Sequence, residues 1–334
     1  MLLILSAPGD THSEAVEQIL ARRGVPFVHW NQAGFPERDT VSLRYDAGGM
    51  KSNSVVMGGE AIDLSRVSTT YVRRHAHPEI RRPANDPRAR AYVETEARSI
   101  LNAAAELNDC RWIPGPMRAL HWAGDKAWQL RLAARLGFEI PPTLITNDPA
   151  ELLEFYREHN GQLVCKALNF PHFPASADGS DNWLFTTQLV APRDVGYAES
   201  IRYCPAIFQA YVPKRLELRI TVVGERVFPC EIHSQERART RHDWRRYDLE
   251  HTPHREHALP SDVAMRCIRI VRALGLCYGA LDFVLTPDGR YVFLEVNPMG
   301  QFLWIEKITG MPISEAICDL LEAAEAGVGG MPSD

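Results

Sequence analysis

The strongest constraint on this 334-residue chain lies near its C-terminal end. Two strand-like runs, Gly279 to Thr286 and Arg290 to Asn297, flank Pro287-Asp288-Gly289, whose turn chemistry folds one run back on the other. A two-residue loop pairs Pro287 with Arg290, and a four-residue loop pairs Thr286 with Tyr291. Both give the same register, and both set Asp282 directly opposite Glu295. Alternation then puts Glu295 and Asn297 on one face, with Val292, Leu294 and Val296 on the other. Two carboxylates opposed across a ladder have Cβ atoms about 5 Å apart, which is destabilising unless something offsets the repulsion. Carboxylate and amide oxygens are hard ligands suited to Mg²⁺, and the absence of imidazole or thiolate disfavours zinc. The alternative is a solvated hairpin face whose charges never meet. These three residues alone do not choose between the two.

The rest of the chain mixes strand and helix signals, which predicts an α/β (α+β) protein. Leu2 to Leu5 reads as a buried strand. Thr11 and Glu14 have capping-box spacing, and Val16, Ile19 and Leu20 give one apolar helical face. Pro26 to Trp30 is a second strand, Ser54 to Leu64 a hairpin turned by Gly58-Gly59, and Thr70 to Arg73 another strand. A long helix is expected from Asp86 to Leu107. No GxGxxG loop marks a nucleotide site in this third. Pro114-Gly115-Pro116 reads as a boundary. Helices follow over Asp125 to Leu136 and Pro149 to His159, then a strand from Gln162 to Leu168. The loop Asn169 to Asn182 is long enough to be a lid or binding element. A strand over Ala206 to Val212 leads to a hairpin, Leu216 to Val223 and Arg226 to Ile232, and helix Ser261 to Leu274 comes before the final hairpin.

Composition removes whole classes of function. Apolar residues make up 45% and charged residues 24%, which is ordinary for a globular protein. The apolar runs are too short to cross a membrane. The N-terminus lacks a basic n-region and reads as a strand, not a signal peptide. Seven cysteines without CxxC spacing suit reduced thiols in a cytoplasmic protein. A net charge of -5 argues against a general nucleic-acid binder.

Beyond this reading of the residues, Asp282…Glu295-Val296-Asn297-Pro298 resembles the metal-binding element of the ATP-grasp superfamily, and the likeness extends over most of the chain. Lys126 and Lys166 fall where that superfamily places its phosphate-binding pair. Phe208-Gln209-Ala210-Tyr211-Val212 is similar to the hinge strand whose backbone reads adenine. Glu217 and Arg219 match its acidic-x-Arg pattern, and the loop from Asn169 sits where a phosphate-covering lid is expected. A narrower resemblance, to graspetide synthetases of the microviridin type, rests on Gln301-x-x-Trp304 and Glu306 after the hairpin, on Ser234-Gln235 followed by Asp243-Trp244-Arg245, and on Tyr71-x-Arg73-Arg74. The fold so implied is an ATP-grasp fold: a pre-ATP-grasp α/β domain over 1–114, a central subdomain over 115–210 and a core subdomain over 211–330.

The resemblance implies an enzyme that uses ATP and Mg²⁺ to activate side-chain carboxylates of a ribosomal precursor peptide, with an acidic core and a leader. Side-chain hydroxyls or amines then close a macrolactone or macrolactam. Asp282, Glu295 and Asn297 would hold the metal. Lys126, Lys166, Gln209, Ala210, Tyr211, Val212 and Glu217 would bind the nucleotide, and Arg219, Arg245 and Asp243 would serve the reaction. Asp243 would either orient Arg245 or accept a proton. Six arginines between His233 and Arg255 fit an acidic peptide, although a solvated basic loop is the plain alternative. Family members also form homodimers. Two other functions share parts of this pattern: a ligase joining a free amino acid or small peptide to a carboxylate, and a non-catalytic peptide- or nucleotide-binding protein. Nucleic-acid and membrane partners are not expected.

Overall fold

The computed structural model describes residues 1–73, 78, 80, 86–107, 110–169, 187–236, 244 and 252–326. The first third holds β1 (Leu2–Leu5), α1 (Thr11–Arg22), β2 (Phe27–Trp30), β3 (Thr40–Asp46), β4 (Gly49–Met57), β5 (Glu60–Asp63), β6 (Thr69–Val72), α2 (Pro87–Glu106) and β7 (Arg111–Ile113). Strands β2-β1-β6-β7 form a parallel sheet in that order, and β3-β4-β5 form an antiparallel one. A parallel sheet covered on both faces needs strands that are apolar throughout. Leu2, Leu3, Ile4 and Leu5 are each at most 1% exposed, worth about 1.5–3 kcal/mol apiece. Leu2 and Ile4 pack with α1, whereas Leu3 and Leu5 join a core that includes α2. The hairpin turned at Gly58-Gly59 is present, and it gains a third strand, β3, that the sequence reading did not mark. That strand does alternate: Val41 and Leu43 are half-buried against the core between exposed polar residues, so its period-2 signal was present and was passed over.

The middle of the chain holds α3 (Met117–Ala123), α4 (Lys126–Arg135), β8 (Thr143–Thr146), α5 (Pro149–Glu158), β9 (Leu163–Lys166), β10 (Gln188–Leu189), α6 (Pro192–Val195) and β11 (Ala206–Ala210). Its sheet runs β10-β9-β11-β8. Asp125 and Asp148 cap α4 and α5 through their side chains, which stops each helix within a residue or two of the expected start. The lid expected over Asn169 to Asn182 lies almost entirely outside the described residues. Leu152, Leu163 and Phe208 fill the back of this sheet.

The last third holds β12 (Leu216–Val223), β13 (Arg226–Ile232), β14 (His254–Glu256), α7 (Ser261–Ala273), β15 (Tyr278–Leu285), β16 (Tyr291–Asn297), α8 (Leu303–Thr309) and α9 (Ile313–Ala326). Its antiparallel sheet runs β14-β13-β12-β15-β16. Val263, Cys267, Ile270 and Val271 of α7 are buried with i, i+4, i+7, i+8 spacing, the stripe a helix needs to cover one face of a sheet. Phe138, which follows α4, packs its ring on Phe283 and Phe293 of this sheet. So α3 and α4 come before the central sheet in the chain but join the core of the C-terminal one. Helix α9 returns to α1 and the N-terminal sheet.

The final hairpin departs from the expected register in one instructive way. Its loop has three residues, Pro287, Asp288 and Gly289. The Gly289 N–H donates to Thr286 O, and Gly289 has φ +87°. That is a type I turn closed by a left-handed glycine. Leu285 therefore pairs with Tyr291, one residue off the expected pairing of Thr286 with Tyr291. A β-bulge at Leu294 then inserts one residue into β16 and cancels the offset, so Asp282 still pairs with Glu295. The face assignment changes with it. Phe293 and Val296 both belong to the core, whereas Leu294 and Glu295 both line the cleft on the other side. The expectation that Leu294 lies opposite Glu295 is thus corrected. Val292 is corrected too, because its partner Val284 is a cleft residue.

Candidate functional site

Two sheets face each other across a cleft of about 560 Å³. From the central sheet come Val164 and Lys166 of β9 and Gln209 and Ala210 of β11, with Tyr211 and Val212 just beyond. From the C-terminal sheet come Glu217 of β12, Asp282 and Val284 of β15, and Leu294 and Glu295 of β16; Trp244 closes one side. Alternation explains the gathering. Gln209 pairs with Val164 and Ile207 with Lys166, so these side chains share one sheet face. Glu217 and Arg219 sit two apart on β12, and Arg219 pairs with Asp282.

The charges are arranged in opposed pairs. Arg219 Nη1 donates to both Asp282 oxygens, at 2.9 and 3.0 Å, with both side chains about 4% exposed. Lys126 Nζ lies 3.6 Å from Glu295 Oε2 and donates to Ala167 O at 2.8 Å. It thereby links α4, the end of β9 and the hairpin. Lys214 Nζ donates to Glu217 Oε1 at 2.8 Å. Asn297 pairs with Ala280, two register positions beyond Glu295, and its Oδ1 accepts from the Met299 N–H at 3.3 Å. Asn297 and Arg219 adjoin the cleft residues without lining the cleft. Two opposed carboxylates and an adjoining amide, balanced by Arg219 and Lys126, make an all-oxygen donor set that fits a hard divalent cation. Asp243 and Arg245 lie outside the described residues. Trp244 between them is 7% exposed; its ring lies 5.7 Å from the Arg219 guanidinium carbon and 5.3 Å from Trp304.

Several residues that position the site carry no motif of their own. Gln129, one turn after Lys126, donates to Val296 O at 2.7 Å and accepts from the Val296 N–H at 2.8 Å. Its carboxamide thus pairs with β16 as a further strand would, between the metal-ligand candidates. Arg73, from the N-terminal sheet, is 4% exposed and donates to Met299 O at 2.5 Å and to Gly300 O at 3.3 Å. The Tyr278 hydroxyl donates to Gly300 O at 2.6 Å, and burial raises its pKa above the ordinary phenol value. His12 Nδ1 accepts from the Leu303 N–H at 3.3 Å. The loop after Asn297 is therefore held by residues about 20 to 290 positions away in the chain. The Tyr-x-Arg element was visible in the sequence, but its reach to Gly300 was not.

Gly300 is where backbone and guanidinium meet. A Cβ there would collide with Ala280 Cβ of β15 and stand 2.6 Å from Arg219 Nη2, so nothing larger than glycine fits without shifting this loop against β15 and disturbing the Arg219–Asp282 pair. Gly300→Ala is expected to lower turnover about 100-fold, since small displacements of a positioned group cost that much. Parallel measurement of kcat and melting temperature checks it, and a kcat within twofold of the parent would refute it.

No family model and no curated protein matches this chain. Solved structures do. The fold is that of ATP-grasp ligases. At 31% identity the chain is similar to macrocyclase MdnB from Microcystis aeruginosa MRC, covering 98% of this chain and 99% of that one with a TM-score of 0.77. It is 29% identical to macrocyclase MdnC from the same organism, which was solved bound with precursor peptide MdnA; coverage is 97% and 99%, with a TM-score of 0.84. It is 27% identical to a RiPP-associated ATP-grasp ligase of Chryseobacterium gregarium, solved with ADP and a leader and core peptide; coverage is 96% of each chain, with a TM-score of 0.87. The chain belongs to this graspetide synthetase family of ATP-grasp ligases.

Proposed function

We propose that this protein is an ATP- and Mg²⁺-dependent ligase that closes rings in a ribosomal precursor peptide, joining side-chain carboxylates to side-chain hydroxyls or amines. The observation that carries the proposal is the cleft between two sheets. It sets Lys166, Glu217, Asp282 and Glu295 around one space, in a chain that matches peptide macrocyclases from end to end. The domain division 1–114, 115–210 and 211–330 is part of the proposal; one of the three larger sheets falling within each span supports it, although α3 and α4 pack with the third sheet. So are the acidic peptide with its leader, a cytoplasmic location and a homodimer. None of the seven cysteines forms a disulfide, and among the described residues no helix is long and apolar enough to cross a membrane. The homodimer is carried by the family likeness alone.

The chemistry runs in two steps. A peptide carboxylate oxygen attacks the γ-phosphorus of ATP, the bond to ADP breaks, and an acyl-phosphate remains. A hydroxyl or amine then attacks the acyl carbon, phosphate leaves, and the nucleophile gives up its proton. Lys126, Lys166 and Arg219 supply fixed positive charge where phosphate negative charge develops, at little reorganisation cost. Asp282, Glu295 and Asn297 would hold Mg²⁺, which would supply positive charge against the phosphate groups. Tyr211 and Val212 supply hinge backbone to the base. The Tyr211 amide already donates to Gln162 O at 2.8 Å and the Ala210 amide to Pro142 O at 2.9 Å, so their carbonyls and the Val212 amide are the groups to use. Arg245 and Asp243, both outside the described residues, enter this reading by the family pattern alone, Arg245 as anchor of the substrate carboxylate and Asp243 as orienting group or proton acceptor.

Incubation with Mg-ATP and an acidic precursor peptide tests this reading. The expected result is a loss of about 18 Da per ring, the condensation stoichiometry, with one ATP consumed for each. An unchanged peptide mass while a free amino acid is consumed would favour the simpler ligase instead.

A further inference from the structure

We infer that the Gln209 side chain selects the nucleobase, accepting a hydrogen bond from the 6-amino group of adenine and rejecting 6-oxo purines. The inference rests on the nucleotide reading above and adds a side-chain determinant to its backbone contacts. Gln209 lies on the cleft face of β11 and is 3% exposed. Its Nε2 donates to Thr143 Oγ1 at 3.0 Å, while its Oε1 is buried with no hydrogen-bond partner among the described residues.

Amide oxygen and nitrogen are assigned from the hydrogen-bond network, and here the network decides. The Thr143 hydroxyl donates to Pro141 O at 2.8 Å. A hydroxyl has a single proton, so Thr143 Oγ1 can only accept from Gln209. The carboxamide is therefore locked with Nε2 towards Thr143 and Oε1 as the open acceptor. A buried acceptor without a partner is costly unless a ligand supplies the donor. Adenine carries an amino donor at position 6, whereas hypoxanthine and guanine carry a second acceptor there. A site built around a hydrogen-bonding group discriminates strongly against a ligand that leaves that group unpaired. Thr143 thus acts through Gln209, as its orienting partner.

Calorimetric titration of the full-length protein with Mg-ADP and Mg-IDP separates this inference from the reading beneath it, because no peptide or turnover is involved. The unmodified protein is expected to bind ADP at least tenfold more tightly than IDP. Gln209→Leu should shrink that ratio at least fivefold, chiefly by weakening ADP. Thr143→Val removes the fixed acceptor, lets the carboxamide turn over, and should shrink the ratio as well. If the unmodified protein binds the two nucleotides equally, or if both variants keep the full ratio, the inference is overturned and the nucleotide site stands. If neither nucleotide binds, both fall together.

Discussion

Glu295→Gln is expected to cut turnover about 1,000-fold while the protein stays folded. The two halves of this result have different causes. The exchange preserves shape and one acceptor oxygen but removes the charge of a proposed metal ligand. Losing about 4 kcal/mol of transition-state stabilisation corresponds to about 10³ in rate. Stability should hold or rise slightly, because Glu295 pairs directly with Asp282 across the ladder and like charges so placed repel. Its ion pair with Lys126 is 3.6 Å long, with both side chains partly exposed, so little is lost there. Phosphate release in the presence of precursor peptide, read beside a thermal melt, makes the test. Turnover within threefold of the parent would sink the metal assignment.

Arg219→Met should have the largest effect on stability. Arg219 and Asp282 are each 3% exposed, and removing one member of such a pair typically costs about 3–5 kcal/mol. A fall of roughly 5–10 °C in melting temperature follows, together with loss of turnover. The companion variant Arg219→Met with Asp282→Asn removes both charges, and it should regain most of the stability without regaining activity. If the single and double variants melt alike, Asp282 does not depend on Arg219 for its counterion. Arg219→Lys is expected to keep part of the stability, because an ammonium preserves the charge but not the planar fork.

Much of this site could be read from the sequence because strand alternation is a local rule. Glu217 and Arg219, Val164 and Lys166, and Asp282 against Glu295 were all placed by counting in twos. The hairpin shows how such counting can succeed through compensation. The loop was taken as two or four residues and proved to have three, and the bulge at Leu294 restored the pairing. Nothing in the one-dimensional pattern marks a bulge, because an apolar residue beside a carboxylate looks like ordinary alternation. What could not be read is what depends on distant partners. Gln129 looks like one more polar residue on α4 until Val296 is seen beside it. His12 looks like a first-turn helix residue until the Leu303 amide is found pointing at its ring nitrogen. Strand β3 was legible by the same rule of alternation, since Val41, Leu43 and Tyr45 alternate with polar residues, and it was passed over. Asp243 and Arg245 remain expectations carried by the family pattern.

The extra residue at position 294 also bears on how the hairpin could change by insertion or deletion. Without Leu294, Phe293 would follow Phe283 and Glu295 would follow Asp282 in an uninterrupted ladder, so pairing alone gives no reason to keep it. A regular strand offers a ligand every second side chain. At the bulge two consecutive codons, one for leucine and one for glutamate, face the same space. An apolar wall and a charged ligand are thereby set side by side, closer than any unbroken strand could bring them. Deletion of this single residue should leave a sound hairpin and an altered cleft. The hairpin is thus a place where a one-codon gap changes what the protein binds before it changes whether the protein folds.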